Sequence, residues 1–155
     1  MKVAEIVRED LIFLDLKGTN IREILRELAE SIWNVERIAD PTSIYEALLE
    51  RENQDSTGVA PGAAIPHCKL PNIHELLLAI GYSQAGIDFN AHDGNLTHFF
   101  FVVLANPNES GRYLGILSSI ARLFKSPDFL FKLKNRPSKS ELIKLIREEE
   151  GTLVK

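Results

Sequence analysis

The stretch Ser56–His67, STGVAPGAAIPH, is the most informative part of the chain. Its glycines, Gly58 and Gly62, permit backbone angles that other residues resist and let the backbone approach a ligand closely. Pro66 fixes the backbone immediately before His67. The stretch therefore predicts a stiff loop that presents one imidazole in one direction. An ordinary surface loop that contains a histidine explains the same residues.

Apolar runs on both sides of this stretch predict β-strands. The runs at residues 11–16 and 76–80 are short, and the run at residues 99–104 is so apolar that it is typical of a buried strand. Gly94 and Asn95 predict a turn before the last run. These runs indicate a small β-sheet.

Helix signals alternate with the strands. A helix is predicted at residues 113–124, and four other helix starts are marked by a side chain suited to capping. These are Asn20 with Glu23, Ser43 with Glu46, Ser126 with Pro127, and Ser138 with Glu141. The second of these helices is expected to run toward Arg51 and the last to stop at Gly151. We therefore predict one mixed α/β (α+β) domain over residues 1–155, with helices flanking the sheet.

The helix predicted at residues 113–124 shows an apolar stripe at helical spacing. The residues expected to face the core are Leu114, Leu117, Ile120, Ala121 and Phe124.

Composition excludes several classes of protein. The formal net charge of -4 argues against a nucleic-acid binder, which usually shows a basic face. The single cysteine, Cys68, rules out an internal disulfide framework and fits a reducing compartment. The N-terminus does not resemble a secretory signal, and no apolar run approaches the ~18 residues typical of a membrane span. We expect a soluble, cytoplasmic protein without membrane insertion.

Three kinds of catalytic or binding site are disfavoured by spacing. The histidines, including His67 beside Cys68, lack the paired spacing of a metal site, so no metal is expected. Ser83 follows an apolar strand as in a hydrolase elbow, but Ala85 stands where that motif needs glycine. Neither common glycine-rich nucleotide loop is present.

A nucleophilic histidine is the remaining chemical interpretation. Neutral imidazole attacks a phosphoryl group readily near pH 7, and the protein must then position it and neutralise the phosphoryl oxygens. Arg51, Ser56, Thr57 and nearby backbone amides are candidates for that work. Arg51 is equally compatible with a solvated helix end, because Glu50 and Glu52 flank it. Spacing alone leaves these alternatives open.

A resemblance to a known family separates them. Arg51-Glu52, then Ser56-Thr57-Gly58, then residues 62–67 resemble the phosphorylation-site signature of bacterial phosphotransferase-system enzyme IIA domains, of the fructose, mannitol and nitrogen-regulatory type. The likeness continues through residues 86–94, the strand at 99–104 and the helix that follows. It covers nearly the whole chain.

The resemblance implies a mixed sheet with helices on both faces and a phosphoryl acceptor at His67. It implies a donor, the phosphocarrier HPr or its nitrogen-branch counterpart, and an acceptor, an enzyme IIB domain or a regulatory target. Arg51 would stabilise the phosphoryl oxygens, and the Thr57 hydroxyl would orient the ring or bind an oxygen. Ser56 is an auxiliary candidate. No metal or organic cofactor is implied.

Two positions depart from the family pattern. Tyr113 stands where a second histidine is often found, and it cannot become a cation as imidazole can. Arg112 beside it is a candidate for the missing positive charge. Cys68 replaces the usual glycine, and we expect a small buried filler there. His74 and His92 are expected on the surface, and His98 in a strand.

We favour a phosphocarrier of the nitrogen-regulatory class, because the 155 residues contain no membrane segment and no IIB-like region. A sugar-transport enzyme IIA that donates to an enzyme IIB is the alternative. A binding module with weak phosphoryl relay, motivated by Tyr113, is the third hypothesis.

Overall fold

The computed structural model describes residues 1–153. Five strands form one sheet: β1 (Ile12–Phe13), β2 (Ala63–Ala64), β3 (His67–Lys69), β4 (Leu77–Ile87) and β5 (Thr97–Ala105). The helices are α1 (Val3–Ile6), α2 (Ile21–Glu36), α3 (Pro41–Gln54), α4 (Ser110–Phe124), α5 (Pro127–Leu133) and α6 (Lys139–Leu153). Within the described residues, none of the helices is both long and apolar enough to cross a membrane.

The sheet is mixed, and β5 is its centre. β4 lies antiparallel to β5 and parallel to β1. On its other edge β5 pairs in parallel with β2 and then, four residues farther along, with β3. Two short strands thus share one edge of β5, and the chain between them leads directly into His67.

Side chains of β5 alternate between two buried faces, as the period of two in a strand requires. Phe99, Phe101 and Val103 pack with α1, α4, α5 and α6. Phe100 and Val102 pack with α2 and α3 on the opposite face. The mixed sheet with helices on both faces is therefore as predicted, and burial on both sides explains why the strand sequence is almost wholly apolar.

Helix starts agree with the sequence in three cases and differ in one. Asn20 caps α2, Ser126 caps α5, and Ser138 forms a reciprocal capping box with Glu141 at α6. The prediction for the second helix was wrong: Asp40 is the N-cap of α3, and its carboxylate accepts a hydrogen bond from the Ser43 amide at 2.8 Å. Pro41, at the first helical position, suits that earlier start.

The buried face of α4 and several predicted extents also differ. α4 buries a face rotated by about one residue from the expected stripe, and Leu114 is 62% exposed. The buried residues are Tyr113, Ile116, Ile120, Leu123 and Phe124. The first strand is only Ile12–Phe13, β4 extends to Ile87, and α6 passes Gly151 to Leu153.

Candidate active site

His67 follows a short interruption between the two strands, β2 and β3, that pair with the same edge of β5. Ile65 and Pro66 separate β2 from β3, and the Pro66 carbonyl accepts a hydrogen bond from the Val103 amide at 3.0 Å. His67 is the first residue of β3 and lies on the α4 side of the sheet, beside a ring of that helix. The next side chain, Cys68, packs on the opposite face. The edge of the sheet thus fixes where the imidazole emerges.

One ring nitrogen of His67 is engaged by the backbone. Nδ1 lies 2.6 Å from the carbonyl oxygen of Ile65, two residues earlier. Because a carbonyl only accepts hydrogen bonds, Nδ1 is assigned the proton, and in the neutral ring Nε2 keeps its lone pair. The geometry therefore leaves the lone pair of Nε2 available to an incoming group.

The surroundings of His67 favour the neutral ring. Burial lowers the pKa of His67, the Ile65 carbonyl opposes that shift, and the positive charge of Arg51 lowers the pKa further. Neutral imidazole is the form that attacks phosphorus. Burial and the neighbouring cation thus act in the direction that a nucleophile needs.

Arg51 lies near the end of α3, where a cation is favoured beside the last helical carbonyls. Its Nη1 donates a hydrogen bond to the Asp55 carbonyl at 2.8 Å, and its side chain is half-buried. Its charge acts on the pKa of both His67 and Tyr113. Arg51 therefore lies near enough for its charge to act on the rings of both His67 and Tyr113.

The hydrogen-bonding groups of Thr57 are engaged by Glu52, a residue of the family signature to which the sequence analysis gave no role. The Thr57 hydroxyl donates to Glu52 Oε1 at 2.8 Å, and the Thr57 amide donates to Glu52 Oε2 at 2.6 Å. Thr57 is 3% exposed and Glu52 is 7% exposed. The hydroxyl proton is thus directed at Glu52, and the contact that orients the His67 ring comes from Ile65.

The pair of Glu52 and Thr57 supports the histidine indirectly. The Thr57 carbonyl accepts a hydrogen bond from the Ile65 amide at 3.1 Å, and the carbonyl of that same Ile65 holds His67. Burial raises the pKa of the Glu52 carboxyl, while the two hydrogen bonds from Thr57 lower it. The sequence signal for Glu52 was its place after Arg51 in the family signature, at a helix end where a glutamate usually faces solvent.

Ser56 has a structural role in the loop as well. Its hydroxyl donates to the Phe89 carbonyl at 2.9 Å and accepts from the Gly58 amide at 3.0 Å. The Gly58 carbonyl in turn accepts from the His92 amide at 3.0 Å. Both hydroxyls of the loop therefore bind protein groups.

Tyr113 lies beside the histidine at the start of α4. The centroids of the His67 and Tyr113 rings are 5.8 Å apart, with 57° between the planes. Tyr113 is 7% exposed, and burial raises the pKa of its phenol, which therefore remains neutral. The residue in the place of the expected second histidine is thus a neutral hydrogen-bond donor in contact with the first.

The cation beside Tyr113 is Lys69 and not Arg112. Lys69 Nζ lies 5.3 Å from the Tyr113 ring centroid and 3.1 Å from the Ser110 hydroxyl. Arg112, which is exposed, instead pairs with Glu109 at the N-terminal end of α4, at 2.8 Å. Adjacent helical positions point in different directions, which is why Arg112 does not reach the rings.

The other residues considered as candidates lie in the core, in strands or on the surface. Ser83 is buried within β4 and its hydroxyl accepts from the Gly86 amide at 3.1 Å, so it is not a nucleophile on a turn. Cys68 is buried, and burial raises the pKa of its thiol to about 12. His74 and His92 are exposed. His98 lies in β5 with Nδ1 2.9 Å from the Ser83 carbonyl.

Comparison with known proteins identifies the family. The model of the family described as phosphoenolpyruvate-dependent sugar phosphotransferase system, EIIA 2, matches residues 5–149. The chain belongs to this family. The enzyme IIA resemblance drawn from Arg51, Ser56–Gly58 and the residues up to His67 is thereby confirmed.

Among curated enzyme IIA relatives, a nitrogen regulatory protein from Bradyrhizobium diazoefficiens is 31% identical over 134 residues, which cover 86% of this chain and 87% of the relative. The fructose-specific EIIABC component of Bacillus subtilis is 27% identical over 150 residues, which cover 97% of this chain. The matched part is only 24% of the Bacillus protein, so the chain spans about a quarter of that relative.

Solved structures establish the enzyme IIA fold. Nitrogen regulatory protein IIA-Ntr from Neisseria meningitidis aligns with a TM-score of 0.85 at 24% identity, covering 93% of this chain and 98% of the other. A chain in the complex of enzyme IIAMTL with phosphorylated enzyme IIBMTL from Escherichia coli aligns with a TM-score of 0.74 at 17% identity, covering 92% and 97%.

Proposed function

We propose that the protein is a phosphocarrier of the nitrogen-regulatory type that accepts a phosphoryl group on Nε2 of His67. The observation that carries the proposal is the hydrogen bond of His67 Nδ1 to the Ile65 carbonyl, made beside Arg51 and Tyr113. This arrangement holds a neutral ring with one nitrogen free. The donor is an HPr-like phosphocarrier, of either the sugar or the nitrogen branch.

The transfer step follows from the chemistry of imidazole. The Nε2 lone pair of His67 attacks phosphorus on the donor's phosphohistidine, and a new N–P bond forms. The bond between phosphorus and the donor nitrogen breaks, and its electron pair returns to the donor ring. The product carries the phosphoryl group on Nε2 of an imidazolium whose Nδ1–H still donates to the Ile65 carbonyl. The donor ring, protonated on its other nitrogen, leaves as neutral imidazole. The reverse of the same step delivers the group to an acceptor.

Charge compensation is assigned to Arg51. Before transfer its positive charge disfavours protonation of His67, and after transfer the same charge faces a phosphoryl dianion. The guanidinium fork suits two phosphoryl oxygens at once. The Tyr113 hydroxyl, neutral at physiological pH, is a further donor to an oxygen. Thr57 and Ser56 act as positioning residues through the bonds they make within the loop.

The nitrogen-regulatory branch is supported by the curated relatives that are nitrogen regulatory proteins, such as that of Bradyrhizobium, which is 31% identical over 134 residues. A sugar-transport enzyme IIA is the second candidate, because the Bacillus match covers 97% of this chain. The mannitol complex, in which the same fold meets a phosphorylated enzyme IIB, supports an enzyme IIB acceptor. In the regulatory role the acceptor is replaced by a target that distinguishes the two phosphorylation states.

The test is a reconstituted relay. Phosphoenolpyruvate, enzyme I and either HPr or its nitrogen-branch counterpart are incubated with the protein, and intact mass is measured at mildly alkaline pH. We expect one added phosphoryl group in the wild type and in His92→Ala, which loses an exposed histidine, and none in His67→Ala. Labelling of His67→Ala would contradict the site. Absence of labelling by both donors would favour the third hypothesis, a binding module with weak phosphoryl relay.

The protein that accepts the phosphoryl group from His67 decides between sugar transport and nitrogen regulation. Rapid loss of the group to purified fructose- or mannitol-type enzyme IIB domains would favour sugar transport. Retention in the presence of those domains, with preferential labelling by the nitrogen-branch donor, is the result expected here. Nitrogen-15 shifts of the phosphorylated ring test the assignment to Nε2, which a phosphorus atom on Nδ1 would overturn.

A further inference from the structure

A cavity lies between the sheet and α5, away from His67. Its volume is ≈ 260 Å³, and Phe99, Leu130 and Leu133 form much of its wall. The ring of Tyr82 packs on that of Phe99 with centroids 4.7 Å apart, so two aromatic rings line it. An apolar cavity of about 150 Å³ accepts benzene. The space here therefore fits one six-membered ring with a short substituent.

The mouth of the cavity is positively charged. Lys134 and Arg136 line it, and no Asp or Glu is among the lining residues. Within residues 1–153, neither cation lies within 4.0 Å of a carboxylate. The Gln84 amide faces Arg136, and with its oxygen toward the guanidinium it accepts bonds of 3.1 and 3.3 Å, which leave the charge uncompensated. Glu141 borders an adjoining groove, but its carboxylate accepts from the Ser138 amide.

We propose that this cavity binds a small aromatic carboxylate. The ring would lie among Tyr82, Phe99 and Leu130, and the carboxylate would meet Lys134 and Arg136. Planar guanidinium binds a carboxylate through two parallel hydrogen bonds. The apolar wall disfavours a sugar phosphate, whose hydroxyls would lose hydrogen bonds to water, and the two cations disfavour an amine.

The cavity shares a wall with the support of His67. Gly62, which lines the cavity, accepts hydrogen bonds through its carbonyl from the amides of His98 and Phe99 at 2.9 and 3.0 Å. Three residues farther along the same segment, Ile65 holds the His67 ring. Along β5 the two sites are four residues apart, from Phe99 to the partner of His67, which is roughly 13 Å. A ligand in the cavity therefore touches the segment that ends at the histidine.

Binding is tested on the unphosphorylated protein, so the outcome does not depend on the proposed relay. Benzoate is titrated while backbone amide resonances are followed by nitrogen-15 NMR. We expect saturable shifts at Gly62, Phe99 and Leu133, with smaller shifts continuing to Ile65. Benzyl alcohol, which lacks the charge, should bind at least tenfold more weakly, and benzylamine should not bind. Equal shifts for benzylamine, or benzoate shifts spread beyond the cavity and the segment from Gly62 to Ile65, would overturn the proposal.

Matched variants distinguish the effect of the two cations at the cavity mouth from the effect of the protein's net charge. Lys134→Gln combined with Arg136→Asn removes both cations, and asparagine tolerates the φ of +52° at residue 136. The control, Lys125→Gln with Arg147→Gln, makes the same change in net charge at exposed positions outside the cavity. Affinity for benzoate should fall at least tenfold in the first and stay unchanged in the control. Undiminished binding by the first variant, with its spectrum otherwise native, would refute the site.

Discussion

Replacing Thr57 with valine tests whether its hydroxyl acts on the loop or on the phosphoryl group. The substitution keeps the shape of the side chain and removes the donor to Glu52 Oε1, which lies 2.8 Å away. The amide of residue 57 remains bonded to Oε2. The change thus leaves one oxygen of a buried carboxylate without its protein donor.

The expected loss of stability follows from the hydrogen bond that Thr57→Val removes. A hydrogen bond to a charged group contributes about 1.5–3 kcal/mol, so we expect Thr57→Val to lower the free energy of unfolding by about 2 kcal/mol. With a urea m-value of about 2 kcal/mol/M, the midpoint of unfolding falls by about 1 M. Thr57→Ser, which keeps a hydroxyl, is the matched control and should lose less than half of that.

Two assays then distinguish the roles. Urea unfolding followed by circular dichroism reports stability, and the rate of phosphoryl acceptance by His67 reports function. If Thr57 is a positioning residue, the valine variant loses stability but keeps transfer within about fivefold, since removal of a direct transition-state donor costs about 10²–10³. Unchanged stability together with a hundredfold slower transfer would refute this reasoning and place the hydroxyl on the phosphoryl group.

Three further predictions concern the groups around the ring. Arg51→Lys keeps the charge but loses the planar guanidinium and should slow phosphoryl transfer about tenfold. The control, Arg112→Lys, should transfer at the wild-type rate. Equal rates for both variants in the reconstituted relay would remove Arg51 from the mechanism. NMR titration should place the pKa of His67 below 6.5, and Arg51→Gln should raise it. Because the folded-state pKa is the lower one, the stability that His67 contributes is present above pH 6.5 and is lost as the pH falls through the folded-state pKa; a pKa above 6.5 would contradict the burial argument. Tyr113→Phe should slow transfer several-fold with little change in stability, and an unaltered rate would show that the hydroxyl is not a donor.

The main elements of the fold were predictable because their signals are local or strongly periodic. The run that became β5 is apolar at nearly every position, and burial on both faces leaves no other explanation for it. The face of α4 was not predictable in the same way. Apolar residues occur on both sides of the stripe, so Leu114 and Ile116 compete, and only the packing against β5 decides that Leu114 stays 62% exposed.

The start of α3 shows a conflict between two local signals. Ser43 with Glu46 and Asp40 with Pro41 both fit the start of a helix. The structure uses Asp40, because its carboxylate reaches the Ser43 amide and the helix gains three residues. Capping patterns identify where a helix begins within a few residues, and the choice among overlapping patterns depends on the rest of the fold.

The candidate site was predictable where a motif carries it and not where burial does. His67 stands out after its glycines and prolines, and Arg51 through the family signature. Glu52 belongs to the same signature, but no role was predicted for it, because a glutamate beside an arginine at a helix end is normally solvated. Its burial depends on Thr57 folding back onto the end of α3, a contact that no local pattern encodes. The contact of the Ile65 carbonyl with His67 was likewise not predictable from the sequence, because the backbone conformation and not the residue type provides this hydrogen-bond acceptor.

In the proposed transfer, the contacts of the loop leave charge compensation to residues outside it. Both hydroxyls of the loop are bound within the protein: Ser56 donates to Phe89, and Thr57 donates to Glu52. Neither hydroxyl proton is free for a phosphoryl oxygen unless the loop rearranges, which would also disturb the support of His67. The donors proposed for the phosphoryl oxygens are the guanidinium of Arg51 and the neutral phenol of Tyr113, and the Lys69 ammonium lies 5.3 Å from the centre of that phenol ring. A phenol adds a donor without adding positive charge next to Arg51, so it does not lower the pKa of His67 further, as a protonated histidine in that place would.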